Sequence, residues 1–270
     1  MSSKIKVDTI ENVAGSGNVS LGSGHNLVVP GDLTVDTNTL FVDASADKVG
    51  INNTTPGSYL TSDLVVGDAT GDNAISVVSG NANASGVFFQ DTTGNSIVSG
   101  VRYQHDINKM GLWTNGGEKA SIDSTGRMLV PNQPCFSATH PTGGTLTTDG
   151  TYRVKPHNTI VTNIGGGYST AGGGSRFTAP VAGTYMFFCF ALQLANMSSM
   201  IIFGKNGSHT THGTNSEARA ISPSGTEINV AFQLILTLAE NDYVEVFYRR
   251  TAGSGGWYSA HAGFSGFLIG

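Results

Sequence analysis

Residues 185–194, Tyr-Met-Phe-Phe-Cys-Phe-Ala-Leu-Gln-Leu, are apolar at every position but Gln193. Read as an extended strand, Tyr185, Phe187, Cys189 and Ala191 point one way. Met186, Phe188, Phe190, Leu192 and Leu194 point the other. A strand with one wet face alternates apolar and polar residues, so this one is covered on both sides. One side faces the core of its own domain. The other needs a neighbour, and a further copy of the same chain is the neighbour expected here. The lead-in, Phe177-Thr-Ala-Pro-Val-Ala-Gly-Thr-Tyr185, predicts a strand stopped at Pro180 and a tight turn closed at Gly183.

The rest of the C-terminal half supplies material for a core. Ile228–Leu238 places Ile228, Val230, Phe232, Leu234, Leu236 and Leu238 on one face of a strand. The turn Ala239-Glu-Asn-Asp242 leads into Tyr243–Tyr248, and the chain closes on Phe264–Ile269. With Cys135–Ala138, the run around Ile160, Phe177 and Met200–Phe203, this predicts an antiparallel sandwich of about eight to ten strands.

The N-terminal half is built differently. Apolar pairs one position apart recur at Val19/Leu21, Leu27/Val29, Leu33/Val35, Leu40/Val42, Val49/Ile51 and Leu64/Val66, with Gly, Asn or Asp between them. Each is a short strand that buries two side chains, too few to offset the ordering of its own backbone. Winding several copies about one axis would give the pairs partners and satisfy the backbone between chains. From Asp68 to Val130 the runs lengthen. Ala74–Ser79, Gly86–Gln90, Ile97–His105, Met110–Thr114 and Ala120–Asp123 read as strands, and Asp91–Gly94, Asn115–Gly117 and Asp123–Gly126 as hairpin turns. Two prolines in Val130-Pro-Asn-Gln-Pro134 mark a stiff junction. The expected organisation is an N-terminal attachment segment (1–20), a β-repeat shaft (21–66), a β-meander stalk domain (67–131) and a sandwich head (132–270).

Composition narrows the function. Charged residues make up 12% and the net charge is −5, so no basic stripe is available for nucleic acid. No run reaches membrane-spanning length, and the first residues lack the apolar core of a signal peptide. Cys135 and Cys189 lie far apart and read as free thiols made in a reducing compartment.

Motifs for chemistry are sparse. Gly165–Gly167 and Gly172–Gly174 lack the Lys-Ser/Thr of a phosphate loop. No zinc-binding spacing occurs. His209-Thr-Thr-His212 could hold a metal on a shared axis or be an exposed polar loop, and the loop reading is favoured. Asp68 and Asp72 read as turn residues rather than calcium ligands. The acidic residues of the head, Asp149, Glu217, Glu227, Glu240, Asp242 and Glu245, do not suggest the paired carboxylates of a glycosidase. No enzyme activity and no cofactor are expected. Trp257 and Tyr258, after Arg249-Arg250 and the glycine-rich Gly253–Gly256, are the candidate receptor contacts, since aromatics in such a loop stack on sugars or protein at low entropic cost. Packing at a seam between copies is the competing assignment. Tyr185, Phe187, Phe188 and Phe190 are the candidate core and trimer strand.

Two resemblances sharpen this reading. Phe41–Ile51 with Pro56 and Leu64–Val66, then Gly86–Asp91, Gly100–Met110, Thr114–Gly116 and Ser121–Gly126, resemble the repeats of bacteriophage tail-fibre shafts. Asn52 stands where a further glycine is usual, and asparagine also accepts left-handed geometry. Phe136-Ser-Ala, Asn163, Tyr168, Phe177–Phe187, Lys205-Asn-Gly207, Leu238 with Asp242 and Val244, and Phe264–Ile269 resemble the C1q-like head, a jelly roll of the tumour-necrosis-factor superfamily. Here Asn241 stands in place of the usual glycine.

Together the resemblances imply an all-β protein: an elongated trimeric β-shaft followed by a C1q-like jelly roll. They imply a homotrimeric virion fibre, made in the host cytoplasm and joined to a tail or capsid protein through its N-terminus. Its head would touch a host surface glycan or protein. The alternatives are a purely structural fibre or capsid decoration, a bacterial C1q-like adhesin and, last, a polysaccharide depolymerase.

Overall fold

The computed structural model describes residues 29–35, 39–59, 62–68, 70–90, 99–140, 145–146, 153–154, 157–171, 175–209 and 217–270. The expected attachment segment, the pair Val19/Leu21, the turn Asp91–Gly94, His212 and Asp149 lie outside them. The chain forms two compact units, Met1–Val78 and Ser79–Gly270.

In the first unit, β1 (Leu33–Val35), β2 (Leu40–Asp43) and β3 (Lys48–Ile51) form an antiparallel ribbon, and β4 (Leu64–Val66) adds in parallel to β3. Four of the repeated pairs are therefore strands. Among the described residues their backbones pair with one another inside one chain. A crossover through a 3-10 turn at Pro56–Ser58 makes the parallel step possible. The buried residue of β4 is Val65, in register with Gly50 and Phe41, while Leu64 faces outward. Buried Asn53 fixes the crossover by donating from Nδ2 to the Gly67 carbonyl at 2.7 Å. Asn52 takes φ 55°, the left-handed geometry expected of it.

Ala74–Ser79 forms no strand. Alternation alone does not make one, because an extended backbone needs a paired edge for its amides. Here Ile75, Val77 and Val78 are exposed, Val78 at 87%.

The second unit opens with a five-stranded antiparallel meander: β5 (Ala84–Phe89), β6 (Ser99–Gln104), β7 (Lys109–Thr114), β8 (Gly117–Ile122) and β9 (Met128–Leu129). Asn115 and Gly116, with φ 49° and 70°, make the two-residue turn between β7 and β8, as their residue types require. The β8–β9 turn closes on Asp123, whose Oδ1 accepts from the amides of Thr125 and Arg127.

Among the described residues twelve strands build the head, two more than the largest number expected; β11, β12, β14 and β18 match no run read from the sequence. The twelve are β10 (Cys135–Thr139), β11 (Thr145–Leu146), β12 (Arg153–Val154), β13 (Thr159–Ile164), β14 (Tyr168–Ser169), β15 (Arg176–Thr178), β16 (Gly183–Gln193), β17 (Met197–Lys205), β18 (Glu217–Ser222), β19 (Ile228–Leu238), β20 (Tyr243–Gly253) and β21 (Trp257–Leu268). One sheet runs β13-β10-β21-β16-β19 with β11 on β21, the other β14-β15-β20-β17-β18 with β12 on β20. Apart from the pairs β10–β11, β14–β15 and β17–β18, each strand is followed by one in the facing sheet, the wiring of a jelly roll.

Between the sheets lies an aromatic core. Phe136 stacks on Tyr168 at 4.7 Å and Phe177 at 4.8 Å, and meets Phe264 edge-on at 4.8 Å. Tyr185, Phe187, Cys189 and Ala191 are all fully buried, so the first face of β16 is the core face. β19 turns its predicted apolar set toward the same core. Burial pushes the Tyr168 hydroxyl up to about 12 and the Cys189 thiol well up, so both stay neutral.

Candidate interaction surfaces

The incoming chain and the C-terminus meet at one end of the head, where the Leu268 amide donates to the Pro134 carbonyl at 2.9 Å. That end is tied by residues that carry the C1q-like resemblance. Asn206 (φ 52°) and Asn241 (φ 69°) turn two hairpins toward each other. The Asp242 carboxylate accepts from Asn206 Nδ2 at 2.7 Å and the Ala239 amide at 2.9 Å, and pairs with Lys205. The Asn206 and Lys205 hydrogen bonds hold the Asp242 carboxyl down at about 2, below its ordinary 3.8. A carboxyl depressed on folding contributes stability that is complete above the unfolded value and drains as pH falls through the folded one. Between about pH 4 and 2 the wild type is therefore expected to lose denaturant midpoint more steeply than Asp242→Asn. Equal slopes in acid titrations of the two proteins would contradict this.

The opposite end is a knot of three turns. The Asn196 carbonyl accepts from the amides of Ser254 and Gly255 at 3.0 and 3.1 Å, and the Asn196 amide donates to Pro223 O at 3.0 Å. Beneath it, buried Gln193 donates from Nε2 to Met197 O at 2.7 Å and Ser222 Oγ at 2.9 Å, and accepts from Ser199 Oγ. Gly253 and Gly255 therefore serve close packing. A Cβ on Gly253 (φ 83°) would sit 2.2 Å from Asn196 O, and one on Gly255 2.4 Å from Ala195 O. Gly253→Ala is expected to cost about 1–3 kcal/mol in chemical denaturation, from left-handed strain and the clash together. A change under about 0.5 kcal/mol would show that the knot yields.

This geometry disperses the four residues expected to form a receptor contact. Trp257 is 0% exposed and lies in the core, edge-on to Tyr248 at 4.7 Å and 85°. It is a packing residue, because its register opposite Gln193 places it inside the sheet rather than in the loop before it. Tyr258 points to the opposite face, beside Leu192 in register and edge-on to His261. Arg249 pairs in register with Met200 in the other sheet, and Arg250 donates from Nη1 to Gly255 O at 3.1 Å, pinning the knot. No common patch unites them.

His209 lies 5.5 Å from the Phe247 ring, beside the small cluster Met200, Ile202 and Phe247. Among the described residues no group of three or more His, Cys, Asp or Glu could hold a metal.

A further apolar surface is the outward face of the β13-β10-β21-β16-β19 sheet. Register lays Ile164, Cys135, Phe267, Met186 and Ile235 in one row across five strands. The next row is Thr162, Ser137, Ser265, Phe188 and Gln233, and Phe190 with Ala231 follows. Ile235 is 58% exposed, Phe267 48% and Phe188 40%. A hollow of about 410 Å³ between Phe190, Leu192, Asn229 and His261 flanks this apolar ridge at one end. Another of about 420 Å³ between Val130, Cys135, Ile164, Phe267 and Ile269 flanks it at the other. Monomeric proteins rarely leave in water an apolar row that crosses a whole sheet, with two phenylalanines beside it. The surface was legible as the second face of β16, but its breadth was not, because Phe267, Ile164 and Ile235 join it only through register.

Residues 135–269 match the C1q domain family. Among solved structures, the head is similar to the globular domain of zebrafish complement 1qA protein (19% identity, 51% of this chain and 98% of that one, TM-score 0.40). It is also similar to murine APRIL (11%, 51% and 99%, TM-score 0.37) and to PRD1 vertex protein P5 (11%, 51% and 98%, TM-score 0.38). No curated protein matches the chain.

Proposed function

The chain belongs to the C1q domain family through residues 135–269, and from that premise we propose that it is a homotrimeric virion fibre whose head attaches the particle to a host surface. C1q domains are recognition modules without catalysis, so the proposed activity is binding. The observation that carries the assembly is the open apolar face around Phe188. Three copies meeting through it would remove Ile235, Phe267, Phe188 and Phe190 from water at about 25 cal/mol per Å² of apolar area. The junction at Pro134 and Leu268 occupies one end of the head. The turns at 194–197, 223–227 and 253–256 are then the end free to meet a receptor. Placement on a virus rests on the resemblance of the N-terminal half to tail-fibre shafts. Three weak heads per fibre raise the effective concentration of each later contact.

The test uses the full chain. It is expected in purified virions and, added in excess, to occupy susceptible cells and block infection. Recovery from a bacterial surface fraction instead of virions would replace this reading with an adhesin. Presence in virions without cell binding would leave a structural fibre.

A further inference from the structure

One face of the meander sets two aromatic rings and an arginine on a floor of glycines. Register lays Phe88, Gly100, Trp113 and Glu118 in one row and Gly86, Arg102, Gly111 and Ser121 in the next. Ala84, Gln104 and Lys109 form a third. The rings lie down on the sheet because no side chain stands beneath them. A Cβ on Gly86 would come within 2.7 Å of Phe88 Cζ, one on Gly100 within 3.0 Å of Phe88 Cδ1, and one on Gly111 within 3.0 Å of Trp113 Nε1. Phe88 is 40% exposed, so a flat apolar ring meets solvent. The Arg102 guanidinium sits over the Trp113 ring, 5.2 Å from its centroid. Lys109 and Glu118 pair at 2.8 Å, and Arg102 acts on Glu118 only through space. Among the described residues neither the Arg102 guanidinium nor the Gln104 amide makes a hydrogen bond or ion pair.

We infer that this face binds a saccharide carrying a carboxylate, with the sugar ring on Phe88 and the carboxylate on Arg102. The site lies outside residues 135–269 and does not depend on the head contact proposed above. Its unused groups select the ligand. A guanidinium offers two parallel N–H groups to a carboxylate, the geometry of the strongest charge-assisted pairs. Stacking on Trp113 holds that fork in place, so less side-chain freedom is lost on binding. The C–H face of a sugar ring is apolar and matches one phenyl ring in size, which suits Phe88. Gln104, two residues along the same strand face from Arg102, meets the hydroxyls at the rim with both donors and an acceptor. Charge favours an acidic sugar over a neutral one: with Lys109 and Glu118 matched, Arg102 is the unmatched charge of the three rows. An acidic peptide is the poorer fit, since β6 and β7 are paired on both sides and offer its backbone no edge.

Calorimetric titration of the full chain tests this with tetragalacturonate, maltotetraose and tetraglutamate as probes. The wild type is expected to bind tetragalacturonate and to give no binding heat with the other two. Arg102→Gln should weaken that binding about tenfold or more, the worth of a charge-assisted pair. Arg102→Lys, which keeps the charge and loses the fork, should recover only part of it. Phe88→Ala should weaken it about threefold to tenfold through lost stacking. Val101→Thr, on the opposite face, should bind as the wild type does. The three probes on the wild type decide the ligand class whatever a variant does to the fold. No heat with tetragalacturonate at millimolar concentration, or equal affinity for either of the other probes, would overturn the acidic-saccharide site. Undiminished binding by Arg102→Gln would overturn it as well. These substitutions lie outside the head, so cell binding through the head stands or falls separately.

Discussion

Full-length chain carrying Phe188→Glu is expected to sediment as single copies at concentrations where the wild type is expected to run as the proposed three. Phe188 stands at the middle of the open face, between the Ile235–Ile164 row and Phe190. Burying a phenylalanine side chain stabilises by roughly 1.5–3 kcal/mol, and a closed three-copy ring makes that contact three times. The substitution removes all three and brings three carboxylates into one apolar seam, where an unpaired charge costs several kcal/mol more. The sum exceeds the margin of an ordinary assembly, so the loss should be complete at micromolar protein rather than graded. The fold itself should survive, because Phe188 is 40% exposed in the single chain and the core face of β16 is untouched. Ile221→Glu provides the control: Ile221 is the more exposed residue at 74%, yet it lies on β18, in the other sheet. Its mass should match the wild type. A three-copy Phe188→Glu protein would show that the open face is not the seam.

The elements that could be read from sequence are those whose signal is local. β19 was bounded by its own alternation, and β16 by two apolar faces, one of which is the observed core face. Asn52, Asn115 and Asn241 declared their left-handed turns by residue type. The residues of the C1q resemblance prove to be core and turn residues: Phe136, Tyr168, Phe177, Tyr185 and Phe264 pack together, and Lys205, Asn206 and Asp242 tie the hairpins. They specify the fold and say nothing of a ligand. What escaped was set by partners distant in sequence. Leu64/Val66 looked like an inward pair, but the parallel pairing of β4 turns Val65 in instead. Ala74–Ser79 alternates like a strand and finds no edge among the described residues. Gly253–Gly256 read as a glycine-rich loop, whereas Gly253 and Gly255 pack against the backbone of Asn196 and Ala195, far away in sequence.

Trp257 is the sharpest case, and it supplies the second large effect. Trp257→Ala is expected to destabilise the head by about 3–5 kcal/mol, the usual cost of emptying a core aromatic site. The ring is fully buried against Tyr248, in the same cluster as Met197 and Ala191. The knot of Asn196, Gly253 and Gly255 closes over this end of the sandwich and limits how far the site can collapse. Trp257→Phe keeps much of the apolar volume and should lose no more than about half as much. A surface contact residue behaves in the opposite way: truncation leaves the thermal midpoint alone and weakens only binding. Thermal melts of wild type, Trp257→Ala and Trp257→Phe therefore separate the two roles without knowledge of the receptor. A graded fall in midpoint, largest for alanine, assigns Trp257 to the core. An unchanged midpoint with weakened cell binding would return it to the surface and break the register that places it opposite Gln193.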